Sequence, residues 1–225
     1  MNIIIFGPPG AGKGTQSDNL VKDFNLIKVS TGDLLRDEIK KGSLLGKNIE
    51  KIIDKGKFVP DKIINDLIEI ILSKKDYLNR LIFDGFPRNL NQVKSFEYLL
   101  KTYNQKISCV FTLNVDKKNI LKRILGRQIC SQCGLIFNIY FKPANKTNHN
   151  CDSKYLIRRS DDNEKTIADR YATYVKETFP ILKYYQKQNL LHEINGMNEI
   201  ERIYKEICSI MGSLETWLYK MYLYK

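Results

Sequence analysis

Nine residues near the N-terminus constrain this 225-residue chain more than any others: Gly7-Pro8-Pro9-Gly10-Ala11-Gly12-Lys13-Gly14-Thr15. They follow Asn2–Phe6, a β-branched run that reads as a buried strand, and they precede a helical pattern over residues 13–24. Strand, Gly-rich turn and helix N-terminus in that order make an anion cradle. The glycines let backbone N–H groups turn inward, the helix end adds partial positive charge, and Lys13 reaches the β/γ-phosphates of a triphosphate. The motif departs from the general G-x-x-x-x-G-K pattern in one respect. Gly14 stands where Ser or Thr usually follows the lysine to ligate Mg²⁺, and the hydroxyl comes one place later, at Thr15. Phosphates and water would then hold most of the metal's coordination, which suits an ion that dehydrates reluctantly.

Downstream, Arg80–Asp84, Ser108–Val115 and Leu190–Ile194 read as three further strands. Helical stretches separate them. Thr31 or Asp33 can cap one, Ile49, Ile52 and Ile53 continue the helical spacing towards Gly56, and Asp61 can cap another through Leu72. The alternation predicts an α/β fold, a parallel sheet with helices on both faces. Residues 126–163 break the rhythm: they have no helical period, hold three of the five cysteines, and alternate over Leu135–Phe141, so they read as a small β-rich insertion.

With 37 Lys+Arg against 25 Asp+Glu the formal net charge is +12, a balance that fits nucleic acid, an anionic membrane, a phosphorylated small molecule, or biased coding composition. A hydrophobic share of 43% excludes global disorder, and no apolar run approaches the roughly 20 residues of a membrane span. The N-terminus has no basic n-region and no small-residue cleavage site, which predicts a soluble, cytoplasmic protein. Aromatic and basic residues are not interleaved as in a nucleic-acid reader, which leaves that partner class a remote alternative.

The chain resembles the adenylate kinases. The resemblance rests on GPPGAGKGTQ, on Ser30-Thr31-Gly32-Asp33 with Arg36, on Asp84-Gly85-Phe86-Pro87-Arg88 with Gln92, on Gly126-Arg127, and on Arg159-Ser160-Asp161-Asp162-Asn163. These occur in the family's order and spacing over about residues 1–210. The resemblance implies a P-loop nucleotide kinase core (1–29, 60–125 and 164–212), an AMP-binding helical insertion (30–59), a LID (126–163) of the long bacterial type, and an extension (213–225). It implies the reaction ATP + AMP ⇌ 2 ADP with Mg²⁺, carried out by a monomer. Phosphoryl transfer asks for positioning and electrostatic stabilisation, the work of arginines.

The catalytic residues it implies are Lys13, Asp84, Arg88, Arg127, Arg159 and Arg170. Asp84 would orient the metal through water, and Asp161 and Asp162 would position arginines and metal waters. For ATP it implies Gly10–Thr15, Arg123 packed on adenine, Arg127, Ile136, Phe137 and Asn198. For AMP it implies Thr31, Arg36, Lys57, Phe58, Val59, Gly85, Phe86, Pro87, Arg88, Gln92, Arg159 and Arg170. Thr31 and Gln92 accompany adenine in the family, while ATP as donor is a default; GTP:AMP transfer is the alternative. Arg158 is the lesser member of its pair, and His149 and His192 have no place in the catalytic scheme, His192 reading as a core histidine. Six of nine arginines therefore fall on nucleotide positions, whereas of 28 lysines only Lys13 carries a strong role.

Cys130-x2-Cys133 followed by Cys151 resembles the structural zinc site of many such LIDs. The family's fourth ligand lies three places after the third, where this chain has Lys154. His149 and Asp152 are then the neighbours available, and a zinc-bearing and a metal-free lid both stand. Cys109 and Cys208 read as buried apolar residues. Beyond Met211, the helical spacing of Leu214, Trp217, Leu218 and Met221 predicts either a short helix folded back on the core or a self-associating or membrane-touching appendage.

Overall fold

In the computed structural model, which describes residues 1–54, 59–159 and 162–223, Asn2–Phe6 forms strand β1 at the centre of a five-stranded parallel sheet. Successive side chains of a strand face opposite sides, and here both sides are covered. Ile3 and Ile5 join Ile82, Phe111, Leu113 and Ile194 in one core cluster, while Ile4 and Phe6 join Phe83, Phe96 and Val110 in another. Burying each of these side chains contributes about 1.5–3 kcal/mol. This explains why the strand is apolar throughout and does not alternate with polar residues.

The first cluster is closed by Leu20 of α1 (Lys13–Phe24) and by Ile203, Ile207 and Met211 of α9 (Ile200–Leu223). The second is closed by α4 (Asp61–Leu72), α5 (Leu90–Thr102) and α8 (Phe179–Lys187). Its aromatic centre is Phe96, whose ring meets Phe83 at 4.8 Å and Phe86 at 5.0 Å, both edge-on. Helices thus flank both faces, as the sequence predicts.

The sheet order is β2-β3-β1-β4-β8, with β3 Leu81–Asp84, β4 Ile107–Asn114 and β8 Leu191–Asn195 each within one residue of its predicted span. The fifth strand, β2 (Ile27–Ser30), is absent from the sequence reading; it is a four-residue edge strand interrupted by Lys28. It runs directly into α2 (Thr31–Lys40). Ser30, rather than Thr31 or Asp33, caps that helix, its hydroxyl accepting the Asp33 backbone N–H at 3.3 Å. Asp61 is likewise the first residue of α4 and not its cap, a position held by Pro60. α3 spans Leu44–Asp54, and Gly56 lies outside the described residues.

After α6 (Lys117–Leu125), strands β5 (Arg127–Cys130), β6 (Ile136–Asn138) and β7 (Leu156–Ile157) form a separate antiparallel sheet of order β6-β5-β7, the expected β-rich insertion. α7 (Glu164–Thr173) then passes through a π-helical turn, Tyr174–Thr178, into α8. At the C-terminus the residues expected to form either a short helix folded back on the core or an appendage are a continuation of α9. A Cβ on Gly212 would meet open space, and the helix runs through that residue unbroken. His192 lies in β8 against Phe111 at 5.6 Å, but on an edge strand, so it is half-buried where a core histidine was expected. No helix among the described residues is long and apolar enough to cross a membrane.

Candidate active site

The loop after β1 is shaped by left-handed glycines. Gly10 has φ +77°, and a Cβ there would stand 2.6 Å from Ile124 Cγ1 of α6; Gly12 has φ +98° and occupies the N-cap of α1. Only glycine adopts these conformations without strain. Lys13 Nζ donates to the Gly7 carbonyl at 2.8 Å and the Pro8 carbonyl at 3.0 Å, spanning the loop. Protein surrounds Lys13 on most sides although one side opens to the cleft. Loss of water lowers its pKa to about 8 against the opposing pull of Asp84, with Arg88, Arg170 and Arg127 adding to the decrease. Gly10, Ala11, Gly12, Lys13, Gly14 and Thr15 line one end of a cavity of about 1380 Å³.

The opposite end is built from the β3–α5 turn. The Phe86–Pro87 peptide is cis, and Arg88 Nε donates to the Gly85 carbonyl at 2.7 Å. Gln92 Oε1 accepts the Arg88 backbone N–H at 2.7 Å, and its Nε2 donates to Asp61 Oδ1 at 2.6 Å. Thr31 Oγ1 donates to the Gly85 carbonyl at 3.0 Å, and Arg36 pairs with Asp33. Thr178 Oγ1, from the π turn, donates to the Arg88 carbonyl at 2.8 Å. Partial desolvation and the charge of Arg170 lower the pKa of Arg88. Thr31, Arg36, Val59, Gly85, Phe86, Pro87, Arg88 and Gln92 all line this end of the cavity.

Between the two ends, Asp84 closes β3 and its Oδ2 is 3.6 Å from where a Cβ on Gly14 would stand. Arg123 donates to the carbonyls of Ala11 at 3.3 Å and Gly196 at 2.8 Å, with its guanidinium 5.5 Å from the Phe141 ring. Arg127 forms a bidentate pair with Asp162, whose carboxylate is 1% exposed. Arg127, Ile136 and Phe137 reach the cavity from the small sheet, Arg159 from the segment after it, Arg170 from α7, and Asn198 from the turn before α9. Asp84, Arg123 and Thr15 line it too.

At the outer end of the small sheet, Cys130, Cys133, His149 and Cys151 hold their ligand atoms within 4.8 Å of one another. His149 is 8% exposed, packs edge-on to Phe137 at 4.9 Å, and its Nε2 is buried without a hydrogen-bond partner. Burial pushes the Cys130 thiol up, but hydrogen bonds from the Cys133 backbone and the His149 ring outweigh it and bring the pKa down to about 6. Burial, reinforced by the neighbouring Cys133 and Cys130 sulfurs, pushes Cys151 up to about 11. Asp152 is engaged elsewhere, capping the short turn Ser153–Tyr155 through the Lys154 backbone N–H at 2.9 Å. Three thiols and an unpartnered imidazole nitrogen form a soft N/S donor set of the kind zinc takes.

A family model described as adenylate kinase matches residues 5–190. The chain belongs to the adenylate kinase family. Among its relatives, the adenylate kinase of Pelagibacter ubique is 46% identical over 94% of this chain and 99% of that protein. That of Thermosipho africanus is 38% identical over 94% of this chain and 99% of that protein, and that of Archaeoglobus fulgidus 37% over 96% and 100%.

Lys57, Phe58 and Asp161, named from the family resemblance, lie outside the described residues. Every other residue named there for nucleotides lines this same cavity, while Arg158 is exposed on the surface. The motifs do not reveal the supporting groups. Asp61, read only as a helix cap, holds the Gln92 amide; Thr178 holds the backbone of Arg88; Phe141 stacks on Arg123. Their partners are distant in sequence, so no local pattern marks them. His149, given no catalytic place, stands within the cysteine cluster.

Proposed function

We propose that this chain catalyses reversible phosphoryl transfer from MgATP to AMP, yielding two ADP. The observation that carries this reading is one continuous cavity lined by Lys13 and six arginines from the loop, α2, the β3–α5 turn, α6, the small sheet, the segment after it and α7. Two anionic nucleotides end to end supply the matching charge. Arg36 and Arg88 would hold the AMP phosphate, with Thr31 and Gln92 at its base. Lys13 and the loop N–H groups would hold the ATP phosphates, and Arg123, stacked on Phe141, would take the adenine. Arg127, Arg159 and Arg170 would stabilise charge spread over the transferring group. Arg127 is oriented for this by its buried pair with Asp162.

Thr15 and Asp84 offer hard oxygen donors beside the loop, which fits Mg²⁺. When bound, the metal neutralises and orients the donor phosphates. Lid closure would exclude water and suppress ATP hydrolysis. The domain boundaries, 30–59 for AMP and 126–163 for the lid, follow the same division of labour.

The lid would carry structural zinc on Cys130, Cys133, Cys151 and His149. The buried, unpartnered Nε2 of His149 supports this choice of fourth ligand over Asp152, whose carboxylate is already engaged. The cavity asks for no residue from a second copy, in keeping with the monomer that the resemblance implies, and the free cysteines accord with a reducing cytoplasm.

The test is ADP formation from ATP plus AMP, run beside GTP plus AMP and ATP plus UMP. The expected result is transfer with ATP and AMP, inhibition by a two-adenosine polyphosphate, and at least a 100-fold loss of turnover in Arg88→Ala. Absence of ADP formation, or near-normal turnover in that variant, would contradict the reading.

A further inference from the structure

Among the lysines that composition alone assigns to a solvated surface, Lys28 is an exception. β2 pairs with β3 in register, Lys28 opposite Ile82 and Ser30 opposite Asp84. The two-residue period therefore puts Lys28 and Asp84 on one face of the sheet, the face that Ile82 packs against α1. A single point locates both charges: the place where a Cβ on Gly14 would stand is 3.6 Å from Lys28 Nζ and 3.6 Å from Asp84 Oδ2. The ammonium and the carboxylate are therefore at most twice that distance apart, across the first turn of α1.

One turn further along α1, Asp18 accepts from Lys28 Nζ at 2.7 Å, with the lysine side chain only 20% exposed and the aspartate 47%. The Lys28 charge also reaches Asp33. Burial works to raise that carboxyl, but hydrogen bonds from Arg36 and Ser30 and the charges of Arg36 and Lys28 bring it below its ordinary value. Lys28 thus projects a positive charge into the same cavity, beside the carboxylate expected to face a metal.

We propose that Lys28 is a positioning residue for the donor's metal: it adds a further resident cation to Lys13 and Arg88 around Asp84, is tethered by Asp18, and a divalent ion arriving with the nucleotide binds against its charge. This rests on the nucleotide kinase reading above. It implies opposite signs for two substitutions. Lys28→Gln removes the opposing charge, so metal binds more tightly. Asp18→Asn releases the ammonium from its tether towards Asp84, so metal binds more weakly. A merely structural Lys28–Asp18 pair would give both variants the same sign. For a unit charge and a divalent ion about 7 Å apart with water-like screening, the effect is about fivefold to tenfold in metal affinity.

The experiment titrates Mn²⁺ into the full chain saturated with a methylene-bridged, non-hydrolysable ATP analogue, reading free Mn²⁺ by electron paramagnetic resonance. The expected result is binding about fivefold to tenfold tighter in Lys28→Gln, weaker by at least about twofold in Asp18→Asn, and near wild type in the charge-conserving Lys28→Arg. Thermal melts of each variant establish that it is folded. Shifts of the same sign in Lys28→Gln and Asp18→Asn, or a change under twofold in Lys28→Gln, overturn the proposal. So does weaker binding of the metal-free analogue at unchanged Mn²⁺ affinity, which would make Lys28 a phosphate ligand. If the wild type binds the analogue and only the metal shifts fail, this inference alone falls; if it does not bind the analogue, the kinase reading falls with it.

Discussion

The low pKa of Lys13 makes ATP binding a proton-uptake reaction above pH 8. Loss of water in the cleft and three neighbouring arginines bring this lysine from 10.5 to about 8 against the attraction of Asp84. Without nucleotide, it then lacks about 0.1 proton at pH 7 and about 0.9 at pH 9. A polyphosphate against Nζ restores the charged form. The sign follows: below pH 8 the proton is already bound and affinity is flat, whereas above pH 8 each bound nucleotide must draw one from solution. Between pH 7 and pH 9 the affinity for a non-hydrolysable ATP analogue should fall about tenfold, or about 1.4 kcal/mol.

Calorimetry in two buffers of different ionisation heat counts the protons directly. The wild type should take up about 0.1 at pH 7 and about 0.9 at pH 9, and saturated Lys13→Gln should show this difference removed. A lysine at its ordinary value would take up less than about 0.1 at either pH. Uptake near zero at pH 9, or full uptake persisting in Lys13→Gln, would refute the assignment.

Three further outcomes follow from the packing. Gly10→Ala forces a side chain into φ +77° and within 2.6 Å of Ile124 Cγ1, so urea unfolding should register a loss of about 1–3 kcal/mol along with weakened ATP binding. Phe96→Ala empties the centre of the Phe83–Phe86 contacts and should cost about 3–5 kcal/mol in the same measurement. Purified protein should contain one zinc per chain, and a chelator should lower its melting temperature; His149→Ala should lose the metal to dialysis that the wild type withstands, as read by elemental analysis.

What was legible in the sequence was what local chemistry dictates. The run Asn2–Phe6 could be recognised because a strand covered on both faces must be apolar at every position, and the turn after it because left-handed backbone needs glycine. β2 was hidden for the opposite reason. Its lysine interrupts the apolar run, and its strand conformation comes from pairing with Leu81–Asp84, more than 50 residues away. The C-terminal residues were set apart because the family resemblance ends near Met211, although α9 runs on through Gly212 without a stop. In the site, the loop lysine was legible from its own motif, because a phosphate cradle demands glycines and a cation at that spacing, whereas the arginines were named only through the family resemblance, since a single arginine reads equally as a solvated surface charge. Asp61, Thr178 and Phe141 were not legible, since each acts only through a partner that the fold brings to it.

The electrostatics of the cavity explain why net charge was a poor guide. The arginines that line it disfavour one another and Lys13: Arg88, Arg170 and Arg127 all lower the lysine, and Arg170 and Arg36 lower Arg88 in turn. Asp84 opposes this from the middle of the cluster, and Asp162 neutralises Arg127 at its edge. The remaining positive charge is stored by the fold and relieved by an anion long enough to touch both ends. On the function proposed above, a single phosphate would meet part of it, whereas two nucleotides joined through their phosphates would meet more. The repulsion is therefore greatest where binding must be strongest, and it is the local concentration of cations in one cleft, rather than the +12 of the whole chain, that selects a small polyanion.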